Sequence, residues 1–100
     1  MTKLWIDDLR PAPDEWHWVK SSHEALEYLE NNHETVTHVS FDHDLGGDDT
    51  SRPVALWLAE HDRFPANVYI HTANVVGKKW LFELINHYGP RPMFLDYKAN

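Results

Sequence analysis

Three short apolar runs in this chain each end in a knot of ionisable side chains, and stretches of helical periodicity separate them. Residues 3–6 run into Asp7-Asp8, residues 37–41 into Asp42-His43-Asp44, and residues 67–70 into His71-Thr72. Strands that alternate with helices need crossover connections, and crossovers make a sheet mostly parallel with helices on its faces. In such sheets ligands bind outside the carboxyl ends of the strands. That is where the ionisable knots fall.

The rest of the chain fits the same frame. Residues 7–15 contain Pro11 and Pro13, which forbid an ordinary helix interior. Residues 16–19 read as a second strand, with Trp16 and Trp18 on one face and His17 and Val19 on the other. Ser21-Ser22-His23-Glu24 is a capping-box pattern that opens a helix carrying Ala25, Leu26, Tyr28 and Leu29 on one side, and Asn31-Asn32 ends it. A second helix is expected from about Pro53 to about Glu60, with Val54, Trp57 and Leu58 as its stripe. A third begins between Asn74 and Lys78, buries Trp80, Leu81, Leu84, Ile85 and Tyr88, and stops at Gly89-Pro90. Residues 93–95 add a short edge strand.

Size and composition bound what such a domain can be. The 100 residues, 42% of them hydrophobic and 13% aromatic, are expected to form one domain over 1–100 with a core of its own. The absence of cysteine excludes disulfides and thiolate metal sites, and a reducing cytoplasm is the expected compartment. No apolar run reaches the roughly 20 residues of a membrane span, and the first residues lack the apolar stretch of a signal peptide. A formal net charge of −7 argues against duplex DNA as a partner. It leaves a phosphate ligand open, because a bound cation inverts the local field.

If the three strands are neighbours, Asp7, Asp8 and Asp42 converge, and carboxylates held close repel one another unless a cation intervenes. Hard oxygen ligands suit Mg²⁺ or Mn²⁺. Asp44 has two readings, a fourth ligand or the cap of the turn at Gly46-Gly47. Thr72 and Asn74 likewise read either as ligand contacts or as strand-end and helix-cap residues. Lys78-Lys79 reads as a solvated helix face. His17, His23, His33, His38, His61 and His87 lack metal-ligand spacing and are expected at the surface. Asp48-Asp49 reads as a solvated loop.

These positions resemble the receiver domains of response regulators, with an acidic pair after the first strand, an Asp after the third and a Thr after the fourth. Lys98 is the candidate for the receiver lysine. The strings Leu4-Trp5-Ile6-Asp7-Asp8-Leu9-Arg10-Pro11, Asp42-His43-Asp44-Leu45-Gly46 and His71-Thr72-Ala73-Asn74 are similar to a narrower group, the cyclic-phosphate processing receiver domains, often bacterial or phage-encoded. The resemblance covers nearly the whole chain. It implies a receiver-like, flavodoxin-type three-layer α/β/α sandwich with sheet order 2-1-3-4 and a fifth strand at the edge, its first crossover helix degenerate.

For function the resemblance implies a metal-dependent phosphoesterase acting on a cyclic nucleotide or a cyclic-phosphate end. Asp7, Asp8, Asp42 and Asp44 would hold the divalent cation. His43 and His71 would act as acid or base beside Asp42. Arg10, Thr72 and Asn74 would bind the phosphate-containing ligand. Two alternatives stand beside it: a module that binds a phosphate or nucleotide without turnover, and a true receiver phosphorylated at Asp42.

Overall fold

A computed structural model describes residues 1–95. Its elements in chain order are β1 (Thr2–Ile6), β2 (Trp16–Val19), α1 (Ser22–Asn32), a 3₁₀ turn (His33–Thr35), β3 (Val36–Phe41), α2 (Arg52–Glu60), β4 (Asn67–Ile70), α3 (Val75–Tyr88) and β5 (Met93–Phe94). The five strands form one sheet in the order β2-β1-β3-β4-β5, and every pairing is parallel. This is the α/β receiver-like architecture with the expected strand order. Lys98 lies outside the described residues.

Handedness decides which face each connection covers. From β2 onward each crossover moves in the same direction along the sheet, and right-handed crossovers then put α1, α2 and α3 on one face. Against that face pack Leu4, Ile6, Val19, Val39, Phe41, Val68 and Ile70, together with Ala25 and Leu29 of α1, Val54 and Leu58 of α2, and Leu81 and Ile85 of α3. The connection from β1 to β2 runs the other way, so it crosses the opposite face. That connection is the proline-rich segment 7–15, and it supplies the third layer in place of a helix.

The register explains the contents of this second face. Lys3 is level with Trp16 and His38, Trp5 with Trp18 and Ser40, and Ser40 with Tyr69, so all of them share one side of the sheet. Trp5 is fully buried there, and its indole N–H donates to the Arg10 carbonyl at 3.0 Å. Trp18 donates to the Asp7 carbonyl at 2.6 Å. Two tryptophans thus tie down a segment that has no helical hydrogen bonds of its own.

The helix ends follow local rules. Ser21 Oγ accepts from the Glu24 N–H at 3.0 Å, and Glu24 reaches back to the Lys20 N–H at 2.8 Å, one residue before the cap. Asn74 caps α3 by accepting from the Gly77 N–H at 3.0 Å. Some side chains depart from expectation. Tyr88 is exposed and borders a surface groove with Leu56 and Leu84. Asp49 is anchored, accepting from the Ser22 N–H at 2.8 Å and the Ser22 hydroxyl at 2.5 Å, because the start of α1 has donors that need a partner. Of the six histidines expected at the surface, His33 and His38 are half-buried. No helix of the described residues is long and apolar enough to cross a membrane.

Candidate functional site

The carboxyl ends of β1, β3 and β4 are adjacent, so Asp7, Asp42 and His71 arrive side by side. One carboxylate oxygen each from Asp7, Asp8 and Asp42 lies within 4.8 Å of the others. These three face a cavity of about 430 Å³ that Arg10, Asp44, Thr72 and Asn74 also line. Seven of the nine residues singled out from the sequence thus share one cavity. His43 and His71 do not line it.

Asp7 is the most constrained member. Its Oδ1 accepts from the N–H groups of Leu9 and Arg10, each at 2.9 Å, and its Oδ2 accepts from His71 Nε2 at 3.1 Å. Burial alone would push its carboxyl up, but these bonds and the charge of His71 outweigh burial and hold it below the usual aspartate range. Asp42 moves the other way. Burial and the negative charge of Asp7 raise it, against hydrogen bonds from the Thr72 hydroxyl and the His43 N–H. Two neighbouring carboxyls pushed in opposite directions are the mark of like charges sharing a site.

His71 is buried, its ring stacked on Trp5 with centroids 3.8 Å apart. Ser40 Oγ sits 2.6 Å from its Nδ1, so a buried line runs from Ser40 through His71 to Asp7. His43 is buried as well. Arg52 Nε–H donates to its Nε2 at 2.9 Å, which places the ring proton on Nδ1, facing Asp44 Oδ1 at 3.0 Å. Both nitrogens of each ring are therefore occupied. Neither histidine lines the acidic cavity, and His71 borders the neighbouring one beside Arg10 and Thr72.

Asp44 stands outside the acidic trio. Its oxygens are taken by His43 and by the Asn74 amide at 3.0 Å, and these bonds hold its carboxyl below the ordinary range. The turn that follows is built by Gly46 at φ 92° and Gly47 at φ 56°, conformations that favour glycine. A Cβ on Gly46 would come within 3.1 Å of Asp8 Oδ2.

Three residues were passed over in the sequence. Gly77 leaves the space that the His43 ring fills, since a Cβ there would overlap it. A glycine in the first turn of an apolar helix was the available signal. Ser40 was signalled by being polar within a buried strand. Arg52 had no signal, because its partners His43 and the Trp80 ring, 4.7 Å away, meet it only in the fold.

The sheet order, the degenerate first crossover and the acidic trio at the strand ends define a receiver-like domain with an added histidine layer. The chain matches the family described as Cyclic-phosphate processing Receiver domain over residues 2–87, and it belongs to that family. No curated protein and no solved structure gives a significant match.

Proposed function

We propose that this receiver-like domain is a divalent-metal-dependent phosphoesterase that opens a cyclic phosphodiester to a phosphomonoester. The observation that carries the reading is the convergence of Asp7, Asp8 and Asp42 within 4.8 Å in a cavity that Arg10 and Thr72 share. Three carboxylate oxygens form a hard donor set that fits Mg²⁺ or Mn²⁺, and the carboxyl of Asp42, raised by burial and by the charge of Asp7, is one that a cation would bring down. Such an ion supplies Lewis-acid polarisation of a phosphoryl oxygen and a more acidic water.

The chain's own residues do the rest. Asp7, held by two backbone donors and His71, fixes one wall of the site. Arg10 presents its guanidinium to the phosphoryl oxygens, where a planar fork matches their geometry. Water oxygen joins phosphorus as one P–O bond to the sugar breaks. The departing oxygen gains a proton and the attacking water loses one to solvent at the open mouth. His71 and His43 act as positioning residues, His71 on Asp7 and His43 on Asp44 and Arg52. A cysteine-free chain suits a cytoplasmic setting for this chemistry.

The test is incubation of the purified protein with cyclic mononucleotides, cyclic dinucleotides and RNA ending in a 2′,3′-cyclic phosphate, with and without Mg²⁺ or Mn²⁺. Chromatography should show a phosphomonoester only when metal is present, and Asp8→Asn should abolish it. Tight binding with no product would make the domain a binding module instead.

A second reading is favoured by one observation, the Thr72 hydroxyl bonded to Asp42 across the ends of β3 and β4. That pair is also what a phosphoacceptor aspartate would use. Label transferred from acetyl phosphate to the wild type but not to Asp42→Asn would support it.

A further inference from the structure

Beside the acidic cavity lies another of about 440 Å³, whose walls include Arg10, Thr72, Ala73, Lys78, Phe94 and Leu95. The two share Arg10, Thr72 and Ala73, so they form one cleft with an acidic half and a basic half. Each half has the size of an ordinary small-ligand pocket, about 300–1,000 Å³.

The basic half owes its charge to Arg10 and Lys78. Neither forms an ion pair with a described carboxylate. That is notable in a chain of formal net charge −7, where acidic partners are plentiful. Arg10 is aimed by a hydrogen bond from Nη1 to the His71 carbonyl at 3.2 Å. Lys78 stands in the first turns of α3, and its ammonium lies 5.4 Å from the centre of the Phe94 ring. A cation over a half-exposed ring is held less strongly than by a charge-assisted hydrogen bond to phosphate, so Lys78 remains available to an anion.

A ligand with one phosphoryl group in the acidic half meets Asp7, Asp8, Asp42 and Arg10 and leaves Lys78 unengaged. We propose that the basic half receives a second phosphoryl group, held by Lys78 and shared with Arg10. The ligand class is then a cyclic phosphate that carries a further phosphoryl group on the same molecule, rather than a cyclic mononucleotide alone. This rests on the reading that the acidic half handles a cyclic phosphate. It also departs from the sequence expectation that Lys78 is part of a solvated helix face.

The experiment compares adenosine 2′,3′-cyclic phosphate with the same nucleotide carrying an added 5′-phosphate, by calorimetric titration of the full chain in Mg²⁺. The wild type should bind the second ligand about tenfold more tightly or better. Lys78→Gln should bring the ratio to near unity, and Lys78→Arg should restore it. Lys79→Gln, one residue along and paired with Glu83 at 3.9 Å, should keep the wild-type ratio. Equal affinities in the wild type, or a ratio untouched by Lys78→Gln, would overturn this inference alone. No binding of either ligand would overturn this inference too, while the cyclic-phosphate reading falls only if the whole substrate panel gives neither binding nor product.

Discussion

Asp7 and Asp42 set opposite pH dependences on one site. Asp7 is held below the ordinary aspartate value of 3.8, so its stabilising contribution is present above 3.8 and is lost as pH falls through its lowered value. Asp42 is raised above the same value, so its contribution is present below 3.8 and is lost as pH rises through its raised value. Without divalent ions the two oppose each other above 3.8, where Asp7 makes its full contribution and Asp42 gives its own up. Thermal unfolding across pH in EDTA reads this directly. Asp42→Asn should gain on the wild type as pH rises from 3.8, by roughly 0.5–2 kcal/mol at neutral pH, the gain usual for a single stabilising substitution. The same change should weaken Mg²⁺ binding severely.

His71 is the other residue whose part is measurable by itself. His71→Phe keeps a ring to stack on Trp5 and deletes the bonds to Ser40 and Asp7. Loss of such a supporting partner weakens metal sites by about 10–100-fold. A Mn²⁺ titration by calorimetry should show that loss, and an unchanged affinity would remove His71 from its positioning part.

At the scale of elements, the start of α3 is where helix packing and site geometry meet. Asn74 caps the helix, Gly77 lies against the His43 ring, and Asn74 also holds Asp44. Gly77→Ala should cost about 1–3 kcal/mol in urea unfolding, despite alanine's better helix propensity, because the added methyl overlaps a buried ring. A stabilised Gly77→Ala variant would contradict the close contact of α3 with His43.

Two elements were harder to read before folding. The segment 7–15 was legible as non-helical from Pro11 and Pro13. That it would cover a sheet face was not, since this follows from the direction of the β1-to-β2 crossover. Asp49 was taken for a solvated loop residue, and only the approach of Ser22, distant in sequence, gives its carboxylate donors.

At the scale of the whole molecule, a cation binding the folded chain alone should raise its stability by mass action. Mg²⁺ at about 100 times its Kd should add about 2.7 kcal/mol, and EDTA should reverse the gain. The gain should vanish in Asp8→Asn, whose carboxylate belongs to the trio.

Strand and helix order, the helix cap at Ser21, and the gathering of acids at the strand ends were all determined by the sequence itself. Each depends on periodicity or on neighbours a few residues apart, and the right-handed crossover rule then leaves few sheet orders to choose among. Only the tertiary structure decided that His43 and His71 turn inward with both nitrogens occupied, that Asp44 leaves the trio, and that Lys78 joins Arg10. Those outcomes rest on contacts between residues far apart in the chain, and side-chain direction in such contacts is set by packing rather than by any local pattern.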